Sequence, residues 1–183
     1  MSMTVGIIAG SFDVPTKGHK WMFERSSKLF NKLIVAVATN PSKKYMFTSE
    51  ERRSMVKIVL DSFNVQLYDY VIYQTTDIGK LLLVDFLKRL EKNQKSMNLY
   101  KSLTLVRGIR DVKDAEYELK LMDINKHLGS NIETVFLVPP ANLRMVSSSF
   151  VKEFIGYNNW EERISKYVEP EILSLIENKI KKA

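Results

Sequence analysis

Strand-like and helix-like stretches alternate along the 183 residues. That alternation predicts an α/β protein: a parallel five-stranded sheet with helices on both faces, followed by a C-terminal helical tail. Two observations carry the prediction. Five short runs are apolar and rich in β-branched residues. The segments between them repeat apolar residues at helical spacing.

The elements follow in order. Thr4–Ala9 (TVGIIA) reads as a buried strand, and His19–Phe30, with Met22, Phe23, Leu29 and Phe30, as the helix after it. Lys32–Ala38 (KLIVAVA) is a second buried strand. Thr48–Phe63 is a helix opened by a capping box, Thr48 to Glu51. Val65–Tyr73 alternates well enough for a third strand, and Leu81–Leu90 is helical. Ser102–Val106 is the fourth strand, Ala115–Leu128 a helix, and Glu133–Val138 the fifth strand. Ser147–Phe154 begins another helix, and Pro170 suits the first turn of a closing helix that runs to about Lys182. Glu91–Lys101 (EKNQKSMNLYK) reads as a polar loop that decorates the fold. No repeat or linker divides the chain, so 1–183 is expected to form one domain, its core at about 4–156 and a helical extension at about 157–183.

Composition excludes several classes. The absence of cysteine rules out disulfides and thiolate metal sites and suits the cytoplasm. Met1–Gly10 opens without a basic segment and runs into Ser11-Phe12-Asp13, unlike a signal peptide. No apolar run is long enough to span a bilayer, so a soluble, cytoplasmic protein is expected. The net charge of +7 attracts polyanions. It is scattered, however, over Lys43-Lys44, Arg52-Arg53 and Lys179–Lys182, which reads as diffuse solvated charge rather than a nucleic-acid stripe.

In a parallel sheet with crossover helices, ligands gather at the carboxyl ends of the strands. Four loops lie there. In the first, Gly10–His19, Gly10 permits a turn off the strand and Gly18 a close approach of backbone to a ligand. His19 then sits at a helix start, where an imidazole can donate to a phosphate oxygen. The second, Thr39–Phe47, brings Lys43 and Lys44, mobile point charges suited to phosphate. In the third, Arg107 and Arg110 straddle Gly108 and offer bidentate forks, Arg107 the more favoured; the alternative is an ion pair with Asp111, Asp114 or Glu118. The fourth ends in Ser147-Ser148-Ser149 at a helix start. One serine would serve as an N-cap, so three point to a polyphosphate cradle. The sequence holds no acidic pair or metal cluster that competes, and His127 reads as a surface residue.

In order, GSFD with TKGH, NPSKKYMFTSEER, LLVDF, RGIRDVKDAEYE, ETVFLVPP and SSSFVKE resemble phosphopantetheine adenylyltransferases, nucleotidyltransferases with the (H/T)xGH signature. The likeness runs from about Val5 to Glu153. It implies a Rossmann-like fold, ATP and 4′-phosphopantetheine as substrates, Mg2+ with the ATP, no protein metal site, and a homo-oligomer, often a hexamer. By position it implies that Ser11, Lys43, Leu83 and Arg107 hold phosphopantetheine. The ATP set it implies is Ser11, Phe12, His19, Gly108, Ile109, Arg110, Glu118, Leu143, Arg144, Met145, Val146, Ser147, Ser148 and Ser149. His19, Lys43 and Arg107 become the catalytic residues. Lys43 and Arg107 receive the incoming phosphate, His19 the α-phosphate, and Arg110 with Ser147–Ser149 the β- and γ-phosphates. The chain departs from the usual pattern at Val14 before Pro15, at Leu81, in what looks like an insertion at Glu91–Lys101, and in a longer tail beyond Trp160.

Three other readings compete. One is a transferase of the same superfamily acting on nicotinate mononucleotide or using CTP. Another is a basic nucleic-acid-binding protein, drawing on the net charge and on Tyr68, Tyr70 and Tyr73, which are more simply packing residues. The third is a degenerate member that binds nucleotide as a regulator. The intact His19, Lys43 and Arg107 speak against the last.

Overall fold

The computed structural model describes residues 3–40, 42–63, 70–74, 83–97 and 101–182. The elements are β1 (Thr4–Gly10), α1 (Lys17–Ser27), β2 (Lys32–Val37), α2 (Ser49–Asp61), β3 (Tyr70–Gln74), α3 (Leu83–Met97), β4 (Ser102–Gly108), α4 (Val112–His127), β5 (Glu133–Leu137), a short 3-10 turn (Ala141–Leu143), α5 (Ser148–Glu153), α6 (Trp160–Ser165) and α7 (Pro170–Ile180). The strands lie in the order β3-β2-β1-β4-β5, and every neighbouring pair is parallel. The chain winds outward from β1 to β3, then returns to the other side of β1 for β4. The direction therefore reverses between β1 and β4, the place where open α/β sheets leave a crevice for ligands.

Alternation along the strands divides the core between the two faces. Ile8, Val35, Val37 and Val106 pack with Phe23, Met55, Val56 and Val59 on one face. Ile7, Ala9, Ile34, Ala36 and Leu105 pack with Phe86, Leu87 and Leu90 of α3 on the other. The capping box that opens α2 is present: Thr48 Oγ1 accepts from Glu51 N–H at 3.2 Å, and Glu51 Oε2 accepts from Thr48 N–H at 2.7 Å.

Four expectations change. Most of Glu91–Lys101 is not a loop, because α3 continues through Met97. Residues 98–100, with 65–69 of the expected third strand (Tyr68 among them) and Leu81, lie outside the described residues. The tail is not an appendage: Trp160, Ile164, Val168, Ile172 and Ile176 are buried in the same cluster as α1 and α2. Helix α6 is additional to the elements expected, and its signal is the four-residue spacing of Trp160 and Ile164. Helix α4 opens three residues earlier than expected, with Asp111 as N-cap accepting from Asp114 N–H at 2.8 Å.

Candidate active site

A cavity of about 1600 Å³ opens at the carboxyl end of the sheet, and all four loops contribute to its wall. Ser11, Phe12, His19, Lys43, Leu83 and Arg107 line it, as do Gly108, Arg110, Glu118, Leu143, Val146 and Ser147–Ser149. Ile109, Arg144 and Met145 do not. Ile109 N–H donates to Leu137 O and so belongs to the sheet edge; Arg144 Nε donates to Pro139 O at 3.3 Å; Met145 is 74% exposed.

In the first loop the residue with positive φ is Phe12 (φ 49), not Gly10. Its ring is buried, lies tilted against Phe23 and meets the His19 ring edge-on at 5.1 Å. Packing holds a backbone conformation that non-glycine residues rarely adopt. Glycine is required at 10 because a Cβ would come within 2.9 Å of the Phe12 ring. At 18 the close approach is to protein: a Cβ would stand 3.3 Å from Val146 O, so Gly18 lets α1 start against the fourth loop.

His19 is the third residue of α1, and its Nδ1 accepts from Thr16 N–H at 3.0 Å. Thr16 Oγ1 is 3.0 Å from the same nitrogen. Burial first, and the Arg110 guanidinium second, lower the imidazole pKa from 6.5 to about 4. The ring is therefore neutral near pH 7. With Nδ1 turned to its own backbone, the proton sits on Nε2, which leaves a donor for the cavity.

Both arginines of the third loop are paired. Arg107 reaches Glu118 through Nε and Nη2, each at 2.6 Å, and its Nη1 donates to Ala9 O at 2.7 Å. Arg110 forks onto Asp114 at 2.6 and 3.0 Å, which raises its own pKa and lowers that of Asp114. The ion pair foreseen as the alternative thus forms at both positions. Each guanidinium is thus oriented by an ion pair, and Glu118 acts as a buried counter-ion.

The serines divide their tasks. Ser147 Oγ caps α5 by accepting from Phe150 N–H at 3.0 Å, and Ser148 Oγ donates to Val14 O at 2.6 Å, stitching the fourth loop to the first. Ser149 is exposed. In the second loop Lys43 and Lys44 are exposed at the mouth, and no ion pair engages Lys43 among the described residues. Pro41 lies outside them.

Residues that sequence reasoning did not select hold this arrangement. The Asp13 carboxylate is buried and accepts from Met46 N–H (3.1 Å), Phe47 N–H (3.0 Å) and Lys152 Nζ (2.7 Å), joining the first loop to the second and to α5. The Arg52 guanidinium is buried too, and that burial pulls its pKa below the usual arginine range, with Tyr45 and Asp13 opposing. The signal available in the sequence was a carboxylate directly after Phe12 and an arginine within the first turns of α2.

Residues 7–154 match the family described as Cytidylyltransferase-like. A phosphopantetheine adenylyltransferase of Neisseria meningitidis serogroup B is 37% identical over 164 residues, covering 88% of this chain and 85% of that protein. One from Clostridium perfringens is 35% identical over 179 residues, covering 97% and 96%. The chain belongs to the phosphopantetheine adenylyltransferase family. Its fold also matches Plasmodium falciparum nicotinic acid mononucleotide adenylyltransferase complexed with APC, with a TM-score of 0.72, 15% identity and coverage of 96% and 95%. The complex of that protein with NaAD gives 0.74 at 16% identity. At such identity the likeness speaks for the Rossmann-like α/β fold alone, whereas family membership rests on the closer sequence relatives.

Proposed function

We propose that the enzyme transfers the adenylyl group of ATP to 4′-phosphopantetheine, giving dephospho-coenzyme A and pyrophosphate. One observation carries the reading: in a chain of this family, a single cavity gathers His19, Lys43, Arg107, Arg110 and Ser147–Ser149 from four loops. A phosphate oxygen of the acceptor attacks the α-phosphorus, a new P–O bond forms, the bond to the bridging oxygen breaks, and pyrophosphate leaves. The attacking phosphate is already ionised near neutral pH, so no general base is needed. Catalysis reduces to positioning and to neutralising the charge that grows in the transition state.

Lys43 and Arg107, with Ser11 and Leu83, take the acceptor. His19 donates from Nε2 to the α-phosphate. Arg110 and Ser147–Ser149 take the β- and γ-phosphates, and Phe12, Gly108, Glu118, Leu143 and Val146 complete the ATP side. Among the described residues no group of three His, Asp or Glu forms a cage for a metal ion. The cavity's Asp13, Asp114 and Glu118 are each paired with a cation. With these carboxylates already paired, a Mg2+ would be held mainly by the polyphosphate it accompanies. When bound, the ion supplies further neutralisation of the polyphosphate charge.

Helix α4 and the edge strand β5 expose Val112, Tyr117, Leu119, Ile124, Leu128, Val135 and Val138. Apolar residues on one outer helix and an open sheet edge support a homo-oligomer, a hexamer by resemblance. A single domain over 1–183 and action in the cytoplasm complete the proposal. No helix among the described residues is long and apolar enough to cross a membrane.

The test is a panel of acceptors with ATP and Mg2+, read by pyrophosphate release and mass detection of product. Dephospho-coenzyme A is the expected product. Turnover of nicotinate mononucleotide in its place would overturn the reading.

A further inference from the structure

We propose that Arg52 and Tyr45 are positioning residues that set the acceptor half of the site, fixing Ser11 relative to the loop that carries Lys43. The inference rests on the assignment of Ser11 and Lys43 to the acceptor phosphate. Arg52, in α2, is 1% exposed yet borders the cavity. Its Nη1 donates to Ser11 O (2.6 Å) and Ala38 O (2.8 Å), and its Nη2 to Thr39 Oγ1 (2.9 Å). One planar group thus ties the exit of β1 to the exit of β2. All three acceptors are neutral loop oxygens. A guanidinium whose hydrogen bonds all go to such oxygens fixes geometry, because its rigid fork dictates where each oxygen must lie. Its Nε, buried, has no partner among the described residues, a cost the other contacts must outweigh.

The second loop is fastened to the same group. The Tyr45 ring lies under the guanidinium with Arg52 Cζ 4.3 Å from its centroid. The Tyr45 hydroxyl accepts from Asn40 N–H at 2.6 Å and lies 3.5 Å from Ser11 Oγ. Asn40 O in turn accepts from Lys43 N–H at 3.0 Å, and Asn40 Oδ1 from Ser42 N–H at 3.0 Å. A continuous set of contacts therefore runs from Arg52 through Tyr45 and Asn40 to the backbone of Lys43. His19 and the Ser147–Ser149 helix are held by other groups, Thr16, Val14 O and Phe150 N–H. Ser11 also belongs to the ATP set and is the one residue of that set held by this group, so loosening Arg52 or Tyr45 should disturb the acceptor much more than ATP.

The experiment measures KM for each substrate separately in Tyr45→Phe, Arg52→Lys and Arg52→Met. Tyr45→Phe keeps the ring and loses the hydroxyl; we expect the acceptor KM to rise on the order of 3- to 10-fold, with the ATP KM within about twofold and an unchanged melting temperature. Arg52→Lys keeps the charge without the fork and should raise the acceptor KM about 10-fold, recovering part of a larger loss in Arg52→Met. Two results overturn the inference: acceptor KM values within about twofold of the parent in both Tyr45→Phe and Arg52→Lys, or ATP and acceptor KM values rising together. A parent enzyme that makes no dephospho-coenzyme A refutes the acceptor assignment and this inference with it. A working parent with unmoved variants refutes this inference alone.

Discussion

Replacing Asp13 by asparagine should loosen the first loop from both the second loop and α5. The carboxylate is 2% exposed, and all three of its partners are donors: Phe47 N–H to Oδ1, and Met46 N–H with Lys152 Nζ to Oδ2. A carboxylate satisfies them because both of its oxygens accept. An amide cannot. If its oxygen takes the Oδ2 place, its NH2 confronts Phe47 N–H; turned over, it confronts Met46 N–H and the ammonium. Hydrogen bonds to a charged group contribute about 1.5–3 kcal/mol each, and breaking a buried ion pair costs about 3–5 kcal/mol. The Lys152 side chain is 30% exposed and regains water, which discounts the second figure. A net loss of about 3 kcal/mol follows, or a fall in melting temperature of about 6–12 °C for a chain of this size. Thermal unfolding followed by circular dichroism reads it. Lys152→Met is the companion: it keeps both backbone bonds but leaves the buried carboxylate without its counter-ion, and should cost about 3 kcal/mol. An Asp13→Asn protein that melts within about 2 °C of the parent would refute the reasoning.

The remaining predictions concern the histidine and the tail. His19→Ala should lower kcat about a hundred- to a thousandfold while ATP still binds, measured by steady-state kinetics beside calorimetric titration; a fully active variant ends its assigned role. Because the pKa of His19 falls to about 4 by burial first and Arg110 second, its ring resonances in the free enzyme should stay at neutral positions as pH falls through 6.5 and move only near 4. The same shift has a signed effect on stability: between about pH 6.5 and 4 the unfolded chain binds the proton that the folded ring refuses, so stability falls as pH falls, by at most about 3 kcal/mol. Urea titrations of parent and His19→Gln across that window should differ in slope. Ile176→Ala, at a fully buried position of α7, should cost about 2–5 kcal/mol in denaturant unfolding; a loss under about 1 kcal/mol would mean that the tail is not part of the core.

The sequence by itself determined the order of the elements up to α5 and the four loops at the strand ends. The continuous apolar runs TVGIIA and KLIVAVA, the helical spacing of Met22, Phe23, Leu29 and Phe30 and the Thr48–Glu51 box are local patterns, and each records which surfaces of a short segment face apolar surroundings or which backbone group needs a partner. The sequence also carried the family, through motifs spread from the first loop to the fourth. The charged partners were decided by the tertiary structure alone. Arg107 could be read as free for a phosphate or as paired, and only the packing of α4 beside β4 gives it Glu118, eleven residues on. Asp13 meets Lys152 across 139 residues, and Arg52 meets Ser11 across 41. Apolar burial leaves a periodic trace because it depends on which face a residue occupies. The choice of one ion or hydrogen-bond partner depends on a distance of a few ångströms between segments that only the assembled sheet brings together.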